Sequence, residues 1–203
     1  MKLLFFDVET TGLPKRKGFN QYHSYKKLSA YKSSRLVQIA VRTYELKEKE
    51  FYLSASYDFI LHPNGFRINN SDIHGITHEY ATQHGYSLSC VMDLLKQEFQ
   101  TADILIAHNI AFDLHILLSE LYRAKMFELV RQIKAKETFC TCETTKELVG
   151  LKNKYGLKPP KLHELHEFLF KEKSNGKYHT AQYDTQILAE CFIKMYQEGY
   201  LEL

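Results

Sequence analysis

A chain of 203 residues is long enough for a single domain, spanning 1–203, with an ample core, and no apolar run in it approaches the roughly 20 residues needed to cross a bilayer. A formal charge of +3 is mild and selects no partner by itself, although it is unevenly spread. Four scattered cysteines without a signal peptide point to reduced core residues in an intracellular, cytoplasmic protein with no membrane partner.

The first element is expected near 2–8. Leu3, Leu4, Phe5 and Phe6 are apolar on both faces, as in a central strand covered on both sides. Asp7 and Glu9 follow at its C-terminal end, and strand alternation sends both to one face. Open α/β sheets place their ligands at that end. Gly12 then breaks the strand in a turn. No acidic residue lies between Glu9 and Glu45, whereas the interval holds Lys15, Arg16, Lys17, Lys26, Lys27, Lys32, Arg35 and Arg42. Phe19, Tyr22, Tyr25 and Tyr31 are interleaved. Cations and aromatic rings suit a single nucleic-acid strand, since phosphates meet the charges and bases stack. The competing reading is a solvated loop whose tyrosines cover the sheet edge.

Strands near 35–46 and 50–61 are joined tightly through Lys47-Glu48-Lys49, as in an antiparallel hairpin. Helices near 78–84 and 87–100 follow, with Thr77 and Ser87 as caps. Leu105, Ile106 and Ala107 belong to a second buried strand near 103–108. Asn109 is placed to cap, through its side chain, a helix over 110–125. Leu114, Leu117, Leu118 and Leu121 give that helix its core stripe, and Asp113 lies on the stripe in the first turn. A strand near 137–142 would turn Cys140 and Cys142 to one side. Helices near 143–149, 161–171 and 180–198 complete the chain, with Pro159-Pro160 as a break before Leu162. Lys173 to Lys177 is polar and contains Gly, which predicts mobility. Thr180 can cap the last helix, whose stripe of Ile187, Leu188, Cys191 and Met195 includes Asp184. His179 falls just before that cap. The implied architecture is α/β: a mixed, mostly parallel five-stranded sheet with helices on both faces.

Taken singly, Asp7 with Glu9, Asp113 and Asp184 each have a bland reading as turn or first-turn carboxylates. Taken together, four buried carboxylates that converge suggest a site for hard cations, because an unpaired buried charge is costly and such ions take oxygen ligands.

The segments Phe6–Leu13, His108–Asp113 and His179–Asp184 resemble the three motifs of the DEDDh exonuclease family within the ribonuclease H-like nucleases. Asp7 and Glu9 match the first motif, Asp113 the second and Asp184 the third, with His179 at the place of the family's mobile histidine. Val37–Ala40, Ile73–Thr77 and Pro160–Leu165 are similar to its proofreading type, the exonuclease domain or subunit of bacterial replicative polymerases. The resemblance implies a three-layer fold with strand order 3-2-1-4-5 and the second strand antiparallel. It implies two divalent cations, Mg²⁺ or Mn²⁺, held by Asp7, Glu9, Asp113 and Asp184, with His179 as the base that takes a proton from the attacking water. By the same resemblance Asp7 bridges the ions, Glu9 and Asp184 complete the nucleophile-side ion, and Asp113 supports the leaving-group ion.

The implied reaction is release of nucleoside 5′-monophosphates from a 3′ end, with single-stranded 3′ ends of DNA as partner and a polymerase or repair complex as a further one. The family's terminal-nucleotide contacts map onto Thr10, Thr11, Ile73, His74, Asn109 and Phe112; for Ile73 and Phe112 core packing is the competing reading. Lys15, Arg16, Lys17, Tyr22, Tyr25, Lys26 and Lys27 are candidate contacts for the strand beyond. The chain ends at Leu203 without a tail to tether it to a polymerase, which leaves open whether it acts alone. Cys140-x-Cys142 lacks the second pair that structural zinc needs, and the pairs His163/His166 and His74/His78 read as surface or packing residues. An RNA-directed exonuclease of the same family stays open, as does a silent binding domain that kept the fold, although the latter should have lost one of the five motif residues and none is missing.

Overall fold

The double-sided apolar run does form the central strand. In the computed structural model, which describes residues 1–18, 21–173 and 180–203, the elements in chain order are β1 (Lys2–Thr10), β2 (Arg16–Gly18), β3 (Gln21–Tyr22), β4 (Leu36–Lys47), β5 (Glu50–Ile60), α1 (Ser71–His74), α2 (His78–His84), α3 (Leu88–Thr101), β6 (Ile104–Ala107), α4 (Ile110–Arg123) and α5 (Phe127–Lys134). They continue as β7 (Glu137–Cys140), α6 (Thr141–Thr144), α7 (Lys146–Val149), β8 (Lys152–Asn153), β9 (Gly156–Leu157), α8 (Leu162–Phe170) and α9 (Ala181–Gln197). His179, Phe19 and Ser174 to Lys177, for which mobility was expected, lie outside the described residues.

The main sheet has the order β5-β4-β1-β6-β7, with β4 antiparallel to β1 and β5, and β6 parallel to β1 and β7. This is the expected order. Alternation along β1 sorts the core into two layers. Leu4, Phe6 and Val8 pack with α3, α4 and α5, whereas Leu3 and Phe5 pack with α8 and α9. Asp7 and Glu9 continue the second row, so they emerge on the α9 side. The β4–β5 turn uses positive φ at Glu48 and Lys49 (51° and 70°), which matches the strands' twist.

Strand β6 pairs with β1 only from Leu3 to Phe5. Beyond that point β1 pairs with no strand on its β6 side among the described residues, and the carboxyl ends of both strands lie where such sheets usually place their ligands. At the far edge, Tyr86 crosses the end of β5: its N–H donates to Ile60 and its carbonyl accepts from His62, both at 2.9 Å. Thr77, Ser87 and Thr180 cap α2, α3 and α9 through their hydroxyls, as expected.

Several expectations are corrected. Asn109 caps α4 without a side-chain hydrogen bond; it contributes a left-handed backbone turn instead (φ 70°), which Asn tolerates better than most residues. The last expected strand stops at Cys140, so Cys142 stands in α6. Tyr31 is fully buried in the main core, its hydroxyl donating to the His23 carbonyl, and cannot stack on a base. Arg35 is likewise used internally: it forms two hydrogen bonds with Glu120 of α4, at 2.5 and 3.1 Å. No helix among the described residues is long and apolar enough to cross a membrane.

Candidate active site

Three motifs separated in sequence meet at the open end of β1. Ligand oxygens of Asp7, Glu9 and Asp184 lie within 4.8 Å of one another. Asp7 and Glu9 arrive there by strand alternation, and α9 carries Asp184 onto the same face. Asp113 reaches in from the opposite layer. Its Oδ1 accepts the Val8 N–H at 3.2 Å, a donor left free because β6 has already ended. Asp113 is only 2% exposed.

These carboxylates resist ionisation together. Burial, then the charges of Asp113, Asp184 and Glu9, holds Asp7 well above the usual carboxylate range. Burial, then Asp184, pushes Glu9 up to about 7. Asp113 is also raised by burial, against the Val8 N–H, which favours its ionised form. A crowded set of oxygen donors that repel one another when charged is what a hard divalent cation relieves, so the donor set fits such ions.

Side chains outside the motifs fix this geometry. Gln38 of β4, opposite Glu9, donates to Asp58 Oδ1 at 2.7 Å and accepts the Ala181 N–H at 3.2 Å. It thereby fastens the start of α9 to the sheet. His108 ties the chain just before α4 to α6 and to the segment before α8. Its Nε2 lies 2.9 Å from the Pro160 carbonyl and its Nδ1 2.9 Å from the Thr141 hydroxyl. A carbonyl can only accept, so the neutral ring carries its proton on Nε2 and receives the Thr141 hydroxyl at Nδ1. Burial lowers the His108 pKa to about 4. The Cys142 side chain and the N–H groups of Glu143, Ile110 and Asn109 favour the Cys140 thiolate and, against burial, lower its pKa to about 6. Asn70 donates to the Thr10 carbonyl at 2.8 Å. The half-buried His108 just past a strand end was a readable signal; Gln38 and Asn70 act across long sequence separations that leave no local pattern.

The expected nucleotide contacts divide. Ile73 is 54% exposed and His74 3% exposed, and both line a cavity of about 650 Å³ shared with Gln38, Asp58, Thr180 and Gln182. The Ile76 N–H donates to His74 Nδ1 at 3.1 Å, leaving Nε2 buried without a hydrogen-bond partner among the described residues. Phe112 is half-buried against the main core. The Thr10 hydroxyl donates to the Gly12 carbonyl at 2.8 Å, and the Thr11 hydroxyl receives the Arg35 N–H at 2.9 Å.

Within the basic interval, Lys15, Arg16, Lys17, Lys26 and Lys27 are exposed. Tyr22 sits over the start of α4, 6.4 Å from Phe112 and 5.2 Å from His115 between ring centres, with the Arg16 guanidinium 5.3 Å from its own ring. Tyr25 instead packs edge-on against Tyr122. Arg42 is engaged with Gln186.

The family model described as exonuclease, of the RNase T type, matches residues 4–192. No curated protein matches the chain by sequence. Among solved structures, Escherichia coli Exonuclease I in complex with a dA16 oligonucleotide is similar with a TM-score of 0.68 and 17% identity, over 97% of this chain and 41% of that one. Exonuclease I from Methylocaldum szegediense is similar with a TM-score of 0.68 and 16% identity, over 97% of this chain and 40% of that one. At such identities the likeness shows the fold, and the chain spans about two fifths of the length of these relatives.

Proposed function

Because the chain belongs to this DEDD-type exonuclease family of the ribonuclease H-like fold, we propose that it removes nucleoside 5′-monophosphates one at a time from the 3′ ends of DNA. The observation that carries the reading is the convergence of Asp7, Glu9 and Asp184 within 4.8 Å, beside the buried Asp113, at the open end of the central strand. These four residues would hold two divalent cations, Mg²⁺ or Mn²⁺. When bound, such ions supply the positive charge that stabilises the attacking and leaving oxygens of a phosphodiester displacement.

The chain's own side chains do the rest. His179 accepts the proton of the attacking water on a ring nitrogen, a role suited to an imidazole that titrates near neutral pH. This assignment rests on the sequence motif and on its place one residue before the cap of the helix that carries Asp184. Water adds to phosphorus, the bond to the 3′ oxygen breaks, and that oxygen leaves with a proton. Gln38 and His108 are positioning residues: they orient the helix starts that present Asp184 and Asp113. The cavity beside Ile73 suits the terminal nucleotide, with the unpartnered Nε2–H of His74 as a donor to it and Ile73 as an apolar surface for the base. DNA is the preferred substrate in this reading, in keeping with the oligonucleotide complex of the Escherichia coli relative. Hydrolysis of matched 3′-labelled DNA and RNA strands with Mg²⁺, with Mn²⁺ and with a chelator tests it. Mononucleotide release from DNA, abolished by the chelator, is expected; faster release from RNA would reverse the substrate assignment, and no release from either would refute the activity.

A further inference from the structure

A second acid-free interval lies between Glu147 and Glu164, and it holds Lys152, Lys154, Lys158 and Lys161. It folds as the small hairpin β8–β9, with Tyr155 at its tip and 85% exposed. The Tyr155 N–H donates to Asn153 Oδ1 at 2.8 Å, and Gly156 takes the positive φ (111°) that the turn requires. The Lys154 ammonium lies 4.9 Å from the centre of the Tyr155 ring. The base is tied down: the Lys158 N–H donates to the Leu151 carbonyl at 2.8 Å, and the Lys158 ammonium holds both oxygens of Glu164 at 2.6 and 2.8 Å. Two residues on, the Pro160 carbonyl receives the His108 ring, which precedes the helix that carries Asp113. A rigid base joined to the active centre therefore supports an aromatic, cationic tip in solvent.

Beneath the hairpin lies an open groove of about 680 Å³. Tyr155, Leu157 and Pro159 give it an apolar wall, Lys146 and Asn153 a polar one, and Glu143 is its one acidic lining residue. That size is ample for a nucleotide. Resting on the exonuclease reading, we propose that this groove seats one nucleotide of the strand behind the 3′ terminus, with its base against Tyr155 and the neighbouring phosphates on Lys146, Lys152 and Lys154. A flat ring flanked by cations is a base-stacking platform indifferent to sequence, as a processive nuclease needs. Lys158 takes no part, since Glu164 already neutralises it. The hairpin thus complements β2–β3, which presents Lys15, Arg16 and Lys17.

The test compares the wild-type full chain with Tyr155→Ala and with the double variant Lys152→Ala/Lys154→Ala, on a long single strand of DNA and on a dinucleotide. Loss of one stacked base should weaken binding of the long strand roughly 5- to 150-fold. The double variant should lower the slope of log affinity against log salt by about 1.4, at about 0.7 per phosphate contact. Hydrolysis of the dinucleotide, too short to reach the groove, should keep its wild-type rate and so certify the fold of each variant. Wild-type affinity and salt slope in both variants would overturn the proposal and leave the hairpin a solvated surface. A parallel fall on the dinucleotide would also overturn it, because the hairpin would then act through the catalytic centre. Failure of the wild-type chain to hydrolyse either substrate is a different result: it refutes the exonuclease reading itself, and this inference with it.

Discussion

The two helix starts that bring Asp113 and Asp184 to the site are held in different ways. The start of α4 follows directly from β6. Its turn is set by the left-handed backbone of Asn109, its carboxylate is pinned by the Val8 N–H, and His108 and Cys140 clamp it from the side. The start of α9 is joined to the sheet at Gln38, whose one side-chain amide serves both Ala181 and Asp58. Asp113 is thus fixed largely by backbone, whereas among the described residues the first residue of α9 is tied to the sheet through the side chain of Gln38. A site built this way has one half that defines the geometry and another that a single substitution can displace.

The largest expected effect comes from the strand that both halves share. Asp7→Ala should lower hydrolysis on the order of 10³-fold or more and abolish tight divalent-ion binding, measured by single-turnover rates and calorimetry. Its metal-free stability should hold or rise, since a cluster of like charges loses a member. An Asp7→Ala enzyme within roughly tenfold of wild type would remove Asp7 from the mechanism. His179→Ala should cost about 10²–10⁴ in rate and remove the acid limb of the pH–rate profile while strand binding persists. An unchanged acid limb would assign the base elsewhere.

The positioning residues test the contrast directly. Gln38→Leu leaves Asp58 and the Ala181 N–H unpaired, which should cost about 1–3 kcal/mol of stability and lower kcat more than KM. His108→Ala removes two half-buried hydrogen bonds and should cost about 1–2 kcal/mol, yet lower kcat less, because the left-handed Asn109 and the Val8 contact still hold Asp113. Equal losses of kcat would show that the two helix starts are equally rigid.

Stability against pH separates the same regions through opposite signs. The folded chain holds a proton on Glu9 up to about pH 7, whereas the unfolded chain releases it near 4.5. Metal-free stability should therefore fall as pH rises through that window, by about 3 kcal/mol from Glu9, and divalent ions should restore it above pH 7. His108 works the other way. Its folded pKa is about 4 against 6.5 unfolded, so it withdraws stability as pH falls below 6.5. Thermal unfolding of Glu9→Gln with a chelator should show the first slope reduced to what Asp7 and Asp113 contribute, and the second kept. The smallest effect is expected at β2–β3: neutralising Lys15, Arg16 and Lys17 together should flatten the salt slope on a long strand by about 2 and leave dinucleotide cleavage intact. An unchanged slope would make that hairpin only a solvated loop.

Much of this was legible in the chain. The main strands showed as apolar runs, their order followed from the family resemblance, and Asp113 and Asp184 stood on helical stripes that point inward by period alone. What escaped had physical reasons. Helix α5 has only eight residues, with Leu129, Val130 and Ile133 as its buried face, too short for the pattern to stand out. Strands of two or three residues, as in β2–β3 and β8–β9, carry no periodicity to read. Charge density alone could not show that Arg35 and Arg42 are engaged with Glu120 and Gln186 inside the fold. The roles of Gln38 and Asn70 arise only when distant segments meet.

The crossing of Tyr86 over the end of β5 sets a limit on substitution at the residue before it. A side chain on Gly85 would meet the backbone of His62 and Leu61 at 2.6 and 2.7 Å, and that of Ala81 at 2.3 Å. Even a methyl group there must lift the strap, leaving the Ile60 carbonyl and the His62 N–H without their partners. The long edge of the sheet would then be bare to its end, and a bare edge pairs with whatever strand it meets. Gly85→Ala should therefore show itself first as self-association in concentrated solution, before any change at the carboxylates.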